Sequence, residues 1–141
     1  MNVGKTVRIL LIDDDPDIHS AVRMVLEPVG YTVTCYPTGP AGLEAIRREP
    51  PDLVLLDIML THPSEGLQVA CELRRDSHLK SVPLILISAI GQSIGMEYAR
   101  EVCPDAMSAN MFLEKPFDAK TLREAVSWVL EQETGRPRPD K

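Results

Sequence analysis

The chain is short of cysteine, short of positive charge, and has no apolar run long enough to cross a membrane. Each shortage excludes something. Cys35, Cys71 and Cys103 stand far apart and form no CxxC pair. Neither a disulfide framework nor a zinc site is therefore indicated, and buried free thiols are expected. The formal net charge is −6, so no whole-chain attraction to nucleic acid or anionic lipid is expected. Basic residues are scattered, and those of the tail are too few for a DNA-binding arm. The opening "MNVGKTVRILLIDDD" has an apolar run too short for a secretory signal and ends in acids, which makes the cytoplasm the expected compartment. The three histidines, His19, His62 and His78, share no metal-ligand spacing and read as single surface or helix residues. No repeat or low-complexity tract occurs.

What is present is an ordinary balance for one domain: 141 residues, 44% hydrophobic and 26% charged. Five apolar or β-branched segments read as strands: 7–12, 31–36, 52–57, 83–88 and 110–114. Helical patterns alternate with them at 16–29, 38–48, 67–76, 94–102 and 119–132. Asp15, Thr38 and Asp118 stand where N-caps belong, and Pro16 suits a first helical turn. The segment "THPSEG" reads as a loop. Strict alternation with short connections implies right-handed crossovers and a parallel sheet. The first, third and fourth strands are almost wholly apolar, as central strands covered on both faces must be. The expected architecture is a flavodoxin-like (βα)5 doubly wound sheet of order 2-1-3-4-5. One domain over 1–133 is expected, followed by a flexible tail over 134–141 with linker composition.

In such a sheet ligands bind beyond the carboxyl ends of the strands, where the strand order reverses. The residues just past each inner apolar run are Asp13 and Asp14, then Asp57, then Ser88, then Lys115. Three carboxylates, a hydroxyl and an ammonium thus meet at one crevice. Each carboxylate pair at ~4 Å costs about 4 kcal/mol at an effective dielectric of ~20. One lysine cannot balance three acids, so either one acid holds a proton or a cation binds. All-oxygen ligation suits Mg²⁺, with Mn²⁺ as its substitute. A metal with a lysine is the usual means of offsetting charge in phosphoryl transfer. Asp57 would then be the nucleophile, forming an acyl phosphate whose oxygens meet Ser88 and Lys115.

Taken singly, each of these residues has an ordinary structural explanation as a helix cap, a turn residue or loop chemistry. Those explanations would have to hold together at four strand ends. Other chemistries fit less well. Asp13, Asp15 and Asp17 match the start of an EF-hand loop, but Ile18 and Met24 occupy its glycine and glutamate positions. "GKT" at 4–6 has no upstream glycine and precedes a strand, so it is no P-loop. A dehalogenase-like phosphatase wants a second acid where Met59 stands.

"ILLIDDDPD", "DLVLLDIML", "PLILISA" and "FLEKPF", in this order, resemble a response regulator receiver domain of two-component signalling over residues 7–133. The resemblance implies Asp13 and Asp14 as an acidic metal-binding pair, Asp57 as phosphoacceptor, and the Met59 backbone carbonyl as a further metal ligand. It implies Ser88 as the switch hydroxyl, Ala89 as the small residue leaving room for the phosphoryl group, and Lys115 as the phosphoryl-pairing lysine. A cis bond before Pro116 and Phe112 as the aromatic switch residue also follow from it. The donor would be a histidine kinase or a histidine phosphotransfer protein. Phosphorylation would alter the face made by the 94–102 helix, the fifth strand and the last helix, to signal to a protein target or to form a homodimer. No nucleic acid or membrane contact is implied. The chemistry would be confined to the domain's own phosphorylation and dephosphorylation, with no enzyme activity on other substrates and no output domain on this chain. A receiver-like scaffold that only binds partners is the reading from another class, and the intact charged set argues against it.

Two departures from the family pattern stand out. The Asp57–Gly66 interval is longer by one residue, with Thr61 where proline is usual. Ser88 to Lys115 spans 27 residues, more than the usual spacing, and the excess falls in the 94–102 helix or the loop after it. Met59 and Ile90 flank the site in positions that resemble the family's rate-tuning pair. Both are apolar, which predicts a long-lived phosphoryl group.

Overall fold

Neighbouring residues along each central strand part to opposite sides of one sheet. A computed structural model describes residues 6–58, 63–89 and 110–134, without the side chains of Pro63, Ser64, Ser88, Ala89, Glu133 and Thr134. Strands β1 (Arg8–Ile12), β2 (Thr32–Tyr36), β3 (Leu53–Asp57), β4 (Leu84–Ala89) and β5 (Met111–Lys115) pair in parallel in the order β2-β1-β3-β4-β5. This is the order expected from sequence. All five residues of β3 are buried, whereas the edge strands β2 and β5 carry exposed positions.

On one face, Leu10, Ile12, Val54, Leu56, Leu84 and Leu86 pack under helices α2 (Gly39–Arg48) and α3 (Pro63–Arg75). On the other, Ile9, Leu11, Leu53, Leu55, Ile85 and Ile87 pack under α1 (Pro16–Leu26) and the C-terminal helix (Ala119–Thr134). Each fully buried aliphatic side chain contributes about 1.5–3 kcal/mol by leaving water. The two layers hold the sheet from both sides.

The caps are where the sequence places them. Asp15 accepts a hydrogen bond from the Asp17 peptide N–H at 2.9 Å, Thr38 from Ala41 at 3.2 Å, and Asp118 from Thr121 at 2.7 Å. Pro28 lacks the N–H that an α-helix needs, so α1 stops at Leu26 and a 3₁₀ turn, Glu27–Val29, finishes the element. Gly30 follows with φ at 108°, the left-handed conformation that favours glycine.

Three expectations need correction or fall outside the description. Helix α3 begins at Pro63 rather than Leu67, so four of the six residues read as a loop are helical. A first-turn proline is preorganised for a helix, and its missing N–H would have had no partner there. Cys71 is disulfide-bonded rather than free, while Cys35 is a free thiol. Distance along the sequence does not report proximity in space, and the partner of Cys71 lies outside the described residues. The 94–102 helix also lies outside them.

Candidate functional site

Asp13 follows β1 directly, Asp57 is the last residue of β3, and Lys115 is the last residue of β5. Parallel pairing brings all three to the same edge of the sheet. Asp13 is fully buried and Asp57 nearly so, the only buried charged residues among those described. Lys115 comes from an edge strand, yet its Nζ lies 3.0 Å from Asp57 Oδ2 and 3.0 Å from Asp13 Oδ2. Burial pulls the Lys115 ammonium towards neutrality, but hydrogen bonds and charge from Asp57 and Asp13 outweigh it and leave its pKa above the ordinary lysine value.

Asp13 is held at every polar atom. Its peptide N–H donates to the Tyr36 carbonyl at 3.1 Å, and its Oδ1 accepts from the Asp15 peptide N–H at 2.9 Å. Its Oδ2 accepts from Lys115, and its carbonyl oxygen lies 2.5 Å from His19 Nε2. Asp14 is exposed beside it. Carboxylate oxygens of Asp13, Asp14 and Asp57 lie within 4.8 Å of one another. Two oxygens on opposite sides of a hard cation, at ~2.0–2.6 Å each, stand about 4–5 Å apart, so the spread matches one shared ion. Three carboxylates against one ammonium leave two negative charges, which a divalent cation balances. The residues present therefore fit Mg²⁺.

The remaining expected residues are placed as follows. Ser88 pairs in register with Glu114 and Ala89 with Lys115, which puts both at the carboxyl end of β4, next to β3. Met59 lies outside the described residues, as do His62 and Ile90. Phe112 points outward from β5 and is 43% exposed. The Lys115–Pro116 bond is cis. Two contacts were not anticipated. One is His19 on the Asp13 carbonyl. The other is Glu65, whose Oε2 accepts from the Gly39 peptide N–H at 2.6 Å and ties the start of α3 to the start of α2. A long side chain in a first helical turn leans back towards the helix start, the one signal that pointed to His19.

Fold and crevice together define a flavodoxin-like α/β domain with an acidic, lysine-bridged switch point. The chain belongs to the response regulator receiver domain family, whose model matches residues 9–127. It is 35% identical over 122 residues to the transcriptional regulatory protein CseB of Streptomyces coelicolor, covering 86% of this chain and 48% of that one. Protein PilH of Pseudomonas aeruginosa is 29% identical over 123 residues, covering 87% of this chain and 97% of PilH. Among solved structures, the receiver domain of NtrX from Brucella abortus superposes with a TM-score of 0.74 at 30% identity, covering 87% of this chain and 98% of that domain. The chain spans about half the length of the first curated relatives it matches, 48% and 51%. Among the described residues no helix is long and apolar enough to cross a membrane.

Proposed function

We propose that this chain accepts one phosphoryl group on the Asp57 carboxylate from the phosphohistidine of a histidine kinase or histidine phosphotransfer protein. A carboxylate oxygen of Asp57 attacks phosphorus, the phosphorus–nitrogen bond breaks, and the donor imidazole leaves. Water later cleaves the acyl phosphate and restores Asp57. The observation that carries this reading is the Lys115 ammonium held 3.0 Å from both Asp13 and Asp57 at the carboxyl edge of the sheet. An ammonium there offsets the charge that gathers on the transferring oxygens. Asp13, Asp14 and Asp57 would hold Mg²⁺, with the Met59 carbonyl as a further ligand, and the ion supplies charge neutralisation and a template for in-line attack. Ser88 hydrogen-bonds one phosphoryl oxygen, Ala89 leaves it space, and Lys115 pairs with another.

The phosphorylated state then differs from the free one in new charge-assisted contacts around Ser88 and Lys115, which bias the surface near Phe112 and the C-terminal helix towards its target. Phe112 has no hydroxyl, so its part in the switch is packing alone. Intact-mass spectrometry after incubation with acetyl phosphate tests the reading. A gain of one phosphoryl group that needs Mg²⁺ and vanishes in Asp57→Ala is expected. No gain, with acetyl phosphate or with a phosphohistidine donor, overturns it in favour of a partner-binding scaffold.

A further inference from the structure

We infer that His19 is a positioning residue for the acidic pair: it clamps the peptide plane between Asp13 and Asp14 and so sets where Asp14 offers its carboxylate. The inference rests on the proposed phosphoacceptor site. Its basis is the contact of His19 Nε2 with the Asp13 carbonyl oxygen at 2.5 Å, made from α1 back to the end of β1. A ring nitrogen this close to a carbonyl must carry the proton, because two lone pairs would repel. Nε2 is therefore the donor.

The geometry explains why this contact matters more than its single bond implies. The Asp13 side chain is fixed by Asp15 and Lys115, and its N–H is fixed by Tyr36. The carbonyl is the other half of the peptide group that carries the Asp14 N–H, so holding that oxygen fixes the plane from which Asp14 departs. Asp14 is exposed, and its aim is set by the backbone that carries it. The ring is half-buried and comes from a helix locked by the Asp15 cap and by Val22 and Leu26 in the core. A rigid element thus supports a ligand-bearing loop. Groups that orient metal ligands in this way typically change metal affinity by about ten- to a hundredfold when removed.

The test compares wild type with His19→Gln, His19→Asn and His19→Leu. Glutamine places an amide N–H near the position of Nε2, whereas asparagine keeps the polarity but falls short. Mg²⁺ affinity is read by calorimetric titration, and the Mg²⁺ dependence of phosphorylation by acetyl phosphate is read by intact mass. Thermal melts in chelator establish that each variant is folded. Asparagine and leucine should weaken Mg²⁺ binding about tenfold, with a deficit in initial rate that shrinks as Mg²⁺ rises, while glutamine recovers most of the affinity. Equal affinity in glutamine and asparagine variants overturns the inference while leaving the receiver chemistry intact, as does a rate deficit that Mg²⁺ does not narrow. Should leucine fail to fold, the glutamine–asparagine comparison decides alone. A wild-type protein that binds no Mg²⁺ and gains no phosphoryl group overturns the proposed function, and this inference with it.

Discussion

Gly66, in the first turn of α3, lies against the backbone of Asp57 so closely that a Cβ built on it would stand 2.5 Å from the Asp57 carbonyl oxygen and 2.6 Å from Ile58 Cα. Both atoms belong to backbone that β3 and its neighbours hold in place, since the Ile58 N–H donates to the Ile87 carbonyl at 3.0 Å. Neither can retreat without moving Asp57. Gly66→Ala should therefore destabilise the fold by about 1–3 kcal/mol, as overpacking does, and slow phosphorylation as well. Urea denaturation together with the acetyl phosphate rate checks this, and an unchanged midpoint would show that α3 yields instead.

The three-carboxylate crevice is a source of instability when no cation occupies it. Asp57→Asn removes one of the repelling charges and leaves the Lys115–Asp13 pair standing. The melting temperature in chelator should rise by roughly 3–5 °C, the shift that about 1 kcal/mol produces in a domain of this size. Added Mg²⁺ should stabilise wild type by mass action and the variant much less. Melts with and without Mg²⁺ at matched ionic strength decide it. A variant that melts lower than wild type without Mg²⁺ would mean that the lysine already offsets the repulsion.

Lys115 makes stability depend on alkaline pH. Its folded pKa stands above the ordinary 10.5 because Asp57 and Asp13 outweigh burial. A raised pKa means that the native state holds the proton more tightly than the unfolded chain. The contribution is complete below about 10.5, the unfolded value, and is lost as pH rises through the higher folded value. Denaturation midpoints should fall across that alkaline window in wild type. In Lys115→Arg they should fall less steeply, because guanidinium does not titrate there.

Asp118 works at the opposite end of the scale. Its hydrogen bond from the Thr121 peptide N–H, with a smaller side-chain contribution from the same residue, holds its pKa below the usual carboxylate value of 3.8. Its support of the C-terminal helix is present above that value and is lost as pH falls through the lower folded one. Asp118→Ala should lower the denaturation midpoint at neutral pH, whereas Asp118→Asn should keep most of the cap. Equal midpoints for the two variants would remove the cap from the account.

Much of this was legible in the sequence because it depended on local pattern. Apolar runs named the central strands, caps named the helix starts, and the residues closing each run named Asp13, Asp14, Asp57 and Lys115 as neighbours. What was not legible depended on contacts between elements. The backward lean of a first-turn side chain hints at His19, but only the fold shows that its ring meets the Asp13 carbonyl, and nothing near Glu65 shows that it caps another helix. Pro63–Gly66 carried loop composition although Pro63 suits a first helical turn, and the close approach of Gly66 to Asp57 is a contact between elements. The bond at Cys71 was hidden for the same reason.

The link from Lys115 to Asp13 joins residues 102 positions apart, and the link to Asp57 joins residues 58 apart. Neither can form until β5, the last strand in the chain, has docked on β4. A chain still leaving the ribosome, or one whose edge strand has come away, presents Asp57 without its cationic partner. Under the proposed function such a chain would be a poor recipient for the phosphoryl group. The same lysine would then act as a certificate of completed folding, with signal loaded onto molecules whose edge strand is in place.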